Sequence, residues 1–515
     1  GISLMALSLA ACGGSSTTTT TTATDTTTSS DLTVSPDSIS FAGTLSAARA
    51  YTPGGNDLVN SLQTDDVIKG TGAADVMNVT FGNNNDAGAA TVAPTITGVE
   101  TINFNNVSSN AATDTLDMSN VTGTTTVNVT SLSDDTVIRG LDSVGIALKA
   151  SNISDEAADV AFEFDDTAVA GTADTVSVTV DNFAGNELNI GAAATNTADG
   201  TGVETLNLTA SGSASTIANL GSTGNTTVNV VATADLTVTA MSATGVSTMN
   251  LTGSTATTSI NVAGNVGANE FTYTGGAGND TLIANSGFAG TDTLNAGAGT
   301  ADVLSIRATA DVTAVGALNA SDAAVATGWD TLDMRGASIT GAGAVDFTVD
   351  MDHLPGVTAV TMRAADDDTK SVFTLNDLSA AQAGALTVTH TGTDVDTDSE
   401  VIVDMKVNGT DTVKLAATVT ADAQVVELND ANNNIENAEI TLSGAATTNL
   451  DVDVSSFLTS LKVSGGAADE SLAITNAHTS TTLDMSGVVS DVTATLGAGT
   501  QTASFGSGDD AVTSA

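Results

Sequence analysis

The sequence predicts an all-β protein: an elongated parallel β-solenoid, of β-helix or β-roll type, with Gly and Asn at its turns and a disordered Thr/Ser tether ahead of it. Three observations carry that expectation. The phrase G-x-x-T-φ-N-φ, with φ apolar, begins at Gly98, Gly123, Gly202, Gly224 and Gly245, and neighbouring copies lie 25, 22 and 21 residues apart. That interval is about one coil of a solenoid, in which each coil buries its core face only against its neighbours. Within each phrase a Gly turn is followed by apolar/polar alternation, the pattern of a half-buried strand. Composition agrees, since Thr and Val favour strands while Gly and Asn favour turns. At 41 % apolar residues the chain lacks the signature of disorder, and 3 % aromatics with four prolines suit a narrow, regular core. A chain of Ig-like sandwiches would need a larger aromatic core than twelve Phe, two Tyr and one Trp supply.

Taken in order, residues 1–12 read as a truncated lipoprotein signal segment. Ile2–Ala11 is an apolar run shorter than the roughly 20 residues that span a bilayer. It suits a signal-peptide core, and Leu9–Cys12 (LAAC) resembles the bacterial lipobox, which makes Cys12 the expected lipidation site. As the single cysteine, Cys12 also rules out an intrachain disulfide. Residues 13–40 form a Ser/Thr-rich linker too polar to bury apolar area. A short irregular or helical lead-in is expected at 41–64, where Ala, Leu and Arg replace Thr and Val. Residues 65–515 are the solenoid region. Its looser phrases begin at Gly328 and Gly409, with Asp333 and Lys414 in the Asn place, and Thr482-Leu483-Asp484-Met485 echoes Thr115-Leu116-Asp117-Met118. The chain begins without Met or a basic n-region and stops inside a repeat, so it is expected to be a fragment with a truncated C-terminus.

In a solenoid the motif residues Asn103, Asn128, Asn207, Asn229 and Asn250 occupy equivalent positions. They either stack into a side-chain amide ladder along the axis or point singly into solvent.

A second pattern overlies the first. Gly275–Ile283, GGAGNDTLI, satisfies every specified position of G-G-x-G-x-D-x-U-x, where U is large and apolar. In a β-roll the glycines permit a tight turn with exposed carbonyls, the Asp supplies a hard oxygen ligand, and Leu282 points into the core. Ca²⁺, which takes six to eight oxygen ligands in irregular geometry, is the expected cofactor. The candidate metal residues are Gly275, Gly276, Gly278 and Asp280, with Asp292, Asp302, Asp509 and Asp510 from partial copies downstream. Asp280 and Asp292 are expected on successive turns, sharing a row of ions. Weaker copies stand at Gly70–Met77 and Gly465–Leu472.

With 60 acidic side chains against 11 basic ones, the formal net charge is −49. Nucleic acid is excluded as a partner, because phosphate binding needs basic surface. Self-repulsion on this scale opposes compaction unless counter-ions bind, whether as specific divalent cations or as the ions of salty water. His353, His390 and His478 are isolated, with no zinc motif around them. No nucleophile elbow or phosphate-binding loop is present. The acidic pairs at Asp65-Asp66, Asp165-Asp166, Asp366-Asp367-Asp368 and Asp509-Asp510 leave open glycoside chemistry on a β-helix, which needs two carboxylates at a set separation.

Through Thr97–Phe104 (TGVETINF), Thr201–Leu208 (TGVETLNL) and Gly275–Ile283, together with its Thr/Ala/Gly-rich acidic composition, the chain resembles the RTX-type bacterial surface-layer proteins and related β-strand-repeat surface proteins. The resemblance covers most of residues 65–515. It implies a self-assembling, Ca²⁺-dependent β-solenoid at the cell surface or secreted; the lipobox adds a lipid anchor at the outer membrane, and the scarcity of His, Trp, Tyr and Arg argues against an enzyme. The resemblance also implies partners in other copies, arranged as a lattice or fibre, and in the outer-membrane surface or its polysaccharide. Two departures stand out: typical members are exported through a C-terminal signal without a lipobox, and tandem calcium repeats are sparse here. A lipid-anchored adhesin for a polysaccharide or partner cell, and a polysaccharide-active β-helix enzyme, remain as alternative functions.

Overall fold

The computed structural model describes residues 20–22, 28–29, 37–51, 58–59, 62–82, 91–108, 113–192, 202–222, 224–242, 245–262, 270–284, 292–306, 326–334, 346–363, 372–391, 400–406, 411–419, 424–425, 435–443, 448–450, 458–466, 471–474, 482–496 and 502–514. These residues form a parallel β-solenoid, as the repeats predicted. Helix among them is confined to the 3-10 turn Met351–His353 and the single turn Ala380–Ala383. By internal contacts the chain divides into two compact units, Gly1–Val178 with Phe183–Thr201, and Thr179–Asn182 with Gly202–Ala515.

In the first unit, Thr44–Tyr51, Val76–Gly82, Thr101–Asn106, Thr126–Thr130 and Ala147–Ile153 pair in parallel, each with the strand one coil on. Ser38–Phe41, Val67–Gly70, Thr95–Thr97 and Val121–Thr122 make a second sheet. Thr91–Val92, Asp114–Asp117, Thr136–Leu141, Asp159–Phe164 and Glu187–Ala192 make a third. Because strands stack in register, inward residues form columns: Leu45, Met77, Ile102, Val127 and Leu148 are one, all buried. Phe81 and Phe104 meet edge to face at 4.8 Å.

The lead-in expected to be irregular or helical at 41–64 contains the eight-residue strand Thr44–Tyr51 instead. Phe41 and Leu45 are buried and continue the inward columns, so tertiary pairing overrides the local Ala/Leu composition. Within the predicted linker, Thr20–Thr22 lies parallel to Ser38–Ser40 and Thr28–Ser29 to Leu45–Ser46. The remainder of residues 1–36, Cys12 included, lies outside the described residues.

In the second unit, Thr205–Ala210, Thr227–Ala232, Thr248–Asn250, Thr272–Thr274, Thr293–Asn295 and Ala326–Thr327 form one parallel sheet. A 13-stranded sheet runs from Ser215–Ile217 to Thr502–Ser504. Its inward column Ile217, Val238, Ile260, Leu282, Leu304, Leu332, Val360 and Val388 is buried throughout. The step between stacked residues ranges from 18, at Thr493 and Ala511, to 32, at Asn295 and Thr327. Strand register survives this drift because extra residues are accommodated in the turns.

The motif residues now have physical roles. Gly98, Gly123, Gly224, Gly245 and Gly328 have φ of 64°, 89°, 88°, 110° and 80°. The turn into each strand is left-handed there, a conformation that penalises any Cβ. The Asn ladder forms in both units. Asn103 Nδ2 donates to Asn78 Oδ1 at 2.7 Å, Asn128 to Asn103 at 2.7 Å, and Asn229 to Asn207 at 2.9 Å. Asn250 instead turns its carbonyl oxygen onto the Thr252 N–H at 3.1 Å, closing a strand-end turn.

Asn103 sits mid-ladder, so Asn103→Ala should remove two side-chain hydrogen bonds and destabilise the first unit by about 1–3 kcal/mol. Gly123→Ala should destabilise by a comparable amount through its left-handed turn. Urea denaturation of each variant measures both effects; an unchanged midpoint for Asn103→Ala would show that the ladder carries no stability.

Candidate functional site

The glycine-aspartate segment folds into a tight corner in which coil packs directly on coil. A Cβ on Gly275 would stand 1.9 Å from the Ala296 carbonyl oxygen, one on Gly278 2.0 Å from that of Ala256, and one on Gly297 2.2 Å from that of Gly276. Glycine is therefore required by backbone contact alone. Asp280 is fully buried, and its carboxylate faces inward. Oδ1 accepts from the Thr258 hydroxyl at 2.6 Å, and Oδ2 from the Gly276 N–H at 2.7 Å. One coil on, Asp302 Oδ1 accepts the Asp280 N–H at 2.7 Å, and Asp330 Oδ2 then accepts the Asp302 N–H at 2.8 Å. Thr258, Asp280, Asp302 and Asp330 thus form a staircase in which each carboxylate ties its coil to the one before.

The same device recurs. Asp75, in the partial copy Gly70–Met77, accepts from Gly43 N–H at 2.6 Å and Gly72 N–H at 2.7 Å, and its own N–H reaches Glu100 at 2.6 Å. Asp66 accepts from Asp37 N–H at 2.8 Å and Gln63 N–H at 2.7 Å. At the far end, Asp510 Oδ1 accepts from Val492 N–H at 3.1 Å, and Asp509 N–H donates to Asp491 at 2.7 Å.

Of the predicted metal residues, Gly275, Gly276, Gly278, Asp280 and Asp302 are brought together. Asp292 stands before Thr293–Asn295 on the other sheet of this unit, where it accepts the Phe271 N–H at 2.8 Å, so it does not share a turn row with Asp280. Asp509 and Asp510 lie on the last described coil. Among the described residues no group of three or more His, Cys, Asp or Glu is arranged to hold a metal ion. One carboxylate oxygen in the corner is left over: Asp302 Oδ2 is buried without a hydrogen-bond partner, as is the neighbouring Tyr273 hydroxyl. Thr258 and Asp330 were not singled out from sequence; a lone Thr gives no signal, and Asp330 stands beside the looser Gly328 phrase.

Burying carboxylates without countercharge raises their proton affinity. Asp302 is pushed from 3.8 to about 6, first by burial and then by the neighbouring Asp280 and Asp330 charges, against the Asp280 N–H bond that lowers it. Asp66 also reaches about 6, again through burial, although two backbone N–H groups oppose the shift. Asp280 is raised for the same leading reason. Burial, then Asp280, likewise holds the Tyr273 phenol in its protonated form.

The sites weighed for catalysis are placed differently from a paired-carboxylate cleft. Asp66 closes a turn while Asp65 is exposed. Asp165 is raised by burial and then by Asp117, Asp142 and Asp166, an acidic corner of the first unit. His353 is buried, its Nε2 3.5 Å from Asp350 Oδ2. His390 belongs to Thr387–Thr391, whereas Asp366–Asp368 and His478 lie outside the described residues. No helix among the described residues is long and apolar enough to cross a membrane.

The acid staircase fixes the sign of a pH dependence. With folded affinities above the ordinary 3.8, the native state holds more protons than the unfolded chain between about pH 4 and 6. These groups therefore favour folding below that window, and their contribution is lost as pH rises through about 6. Lowering pH from 7.5 to 5.5 should raise the melting temperature, and Asp302→Asn should flatten part of that rise; a profile unchanged by Asp302→Asn would remove Asp302 as its source. No protein-family model matches this chain and no curated protein matches it, which leaves the residues themselves as the ground for a functional reading.

Proposed function

We propose that this chain is a cell-surface structural protein, surface-layer-like, which self-assembles, is stabilised by Ca²⁺ and is held to the outer membrane through lipid on Cys12. One observation carries the reading. In a chain of net charge −49, the outward positions of the second unit's first sheet bear no ionisable side chain. Thr205, Thr227, Thr248, Thr272 and Thr293 form one column, and Asn207, Asn229, Asn250, Thr274, Asn295 and Thr327 the next. Repulsion between copies is weakest where charge is absent, so a solenoid with neutral strand faces is suited to lateral packing. The same neutral face suits an uncharged polysaccharide, the chemistry of the adhesin reading.

Calcium enters through the buried acids and the net charge. Asp302 Oδ2 is a carboxylate oxygen in the corner without a hydrogen-bond partner, and the remaining ligands would come from carbonyls and water, which Ca²⁺ accepts readily. Binding to the folded state alone stabilises by about 2.7 kcal/mol at a hundredfold excess over Kd.

Electron microscopy of purified protein should show ordered sheets or fibres, more extensive with millimolar Ca²⁺ than without. Dispersed particles in both conditions, with co-sedimentation on surface polysaccharide, would replace this reading by the adhesin. Calcium should raise the melting temperature more than monovalent salt of equal ionic strength, since screening acts on all charges alike; an equal effect of salt would remove the specific ion. Cys12→Ala should move the protein out of the membrane fraction, and unchanged retention would reject the anchor.

A further inference from the structure

Basic side chains number only 11 in this chain, yet two of them stand in one column with two acids in strict alternation. In the second unit, Asp411–Val419, Ile435–Ser443, Ser460–Gly465 and Thr482–Val488 are neighbouring parallel strands. Their register places Lys414 beside Glu439, Glu439 beside Lys462, and Lys462 beside Asp484. Lys414 Nζ lies 3.2 Å from Glu439 Oε2. The three longer side chains are exposed and Asp484 half-exposed. The columns on either side are uncharged, with Thr412, Asn437 and Ser460 on one flank and Ala416, Thr441 and Ser464 on the other.

A + − + − column has a symmetry property that an all-acid face lacks. Rotating a second copy by a two-fold axis along the strand direction, between Glu439 and Lys462, reverses the column. Lys414 then faces Asp484 of the second copy, and Glu439 faces its Lys462, so all four contacts are attractive. Keeping the two columns in the same direction would set like against like at every step. The self-complementary, isologous arrangement is the one a two-fold homodimer requires.

We propose that two copies of this chain dock face to face through the Lys414, Glu439, Lys462 and Asp484 column, with the coil stacks of their second units running antiparallel. This rests on the self-assembly reading and adds the contact surface and its direction. Strands of up to nine residues at about 3.3 Å each, taken with a width of about 20 Å, give roughly 600 Å² per copy. The total, about 1,200 Å², is at the lower end for a specific interface. Charge pattern supplies its specificity and orientation, while multiplicity in an assembly supplies its strength.

Two variants test this, each with its fold checked by circular dichroism and melting temperature. In the first, Lys414→Glu and Lys462→Glu make the column entirely acidic, and self-association measured by analytical ultracentrifugation should weaken by about tenfold or more. In the second, Lys414→Glu, Glu439→Lys, Lys462→Glu and Asp484→Lys invert every sign while preserving net charge and every neighbour pair within the chain. The inverted protein should associate with itself as wild type does, yet co-associate with fluorescently labelled wild type about tenfold less, because like charges then face across the interface. Free mixing of inverted and wild-type protein, or undiminished association of the all-acid variant, would confine the column to a role within one chain and overturn the proposal, leaving self-assembly by another face intact. Loss of polysaccharide co-sedimentation without loss of self-association in the all-acid variant would assign the face to a polymer and equally overturn it. A wild type that stays monomeric with and without Ca²⁺ would remove the self-assembly reading itself.

Discussion

Everything in this molecule depends on parallel pairing of each strand with the strand one coil on. Backbone N–H and C=O groups of a strand find their partners in the strands of the adjacent coils, so the strands are held in register and equivalent positions stack directly. The consequence is that like sits on like. For Leu, Ile and Val that makes a continuous core, and for Asn it makes an amide ladder such as Asn78, Asn103 and Asn128. For charged residues the same stacking is unfavourable unless something relieves it.

The structure relieves it in two ways. On one strand face of the second unit exposed charges alternate in sign, at Lys414, Glu439, Lys462 and Asp484. Where acids are buried at the corners, each carboxylate turns onto a backbone N–H or hydroxyl of a neighbouring turn, as Asp302 does for the Asp280 N–H. Charge-assisted bonds of that kind are stronger than neutral ones, yet they do not remove the cost of desolvating a carboxylate. Asp66 and Asp302 consequently hold their protons to about pH 6. The corners that join the coils are thus sensitive to protons.

Charge is also partitioned between faces. The Thr and Asn columns from Thr205 to Thr327 carry none, while the later strands of the second sheet carry a balanced column. A net charge of −49 disfavours contact between copies over most of the surface. A neutral face and a self-matching face are the two kinds of surface on which such copies can meet without burying unpaired like charge.

The sequence by itself determined the architecture. Gly at 21- to 25-residue intervals followed by T-φ-N-φ is a local signal, because left-handed turns demand Gly and alternation demands a half-buried strand, and both were legible before any contact was known. The Asn ladder was legible as one of two possibilities, and the structure takes both: Asn103 and Asn229 bond along the column, while Asn250, in register with Asn229, turns its oxygen onto the Thr252 N–H instead. The strand at Thr44–Tyr51 was missed because its Ala-rich composition carries little strand preference, and pairing with Val76–Gly82 imposes the conformation. At the candidate site, full and partial copies of the nine-residue motif marked Asp280, Asp292 and Asp302 but could not give the direction of their carboxylates. A motif records which residues a turn tolerates; whether an oxygen faces an ion or the N–H of the next coil is decided by what the neighbouring coil places against it. For the same reason Asp292 left the set and Thr258 and Asp330 joined it, since coil-to-coil neighbours lie 22 or 28 residues apart and only the stacked structure brings them together.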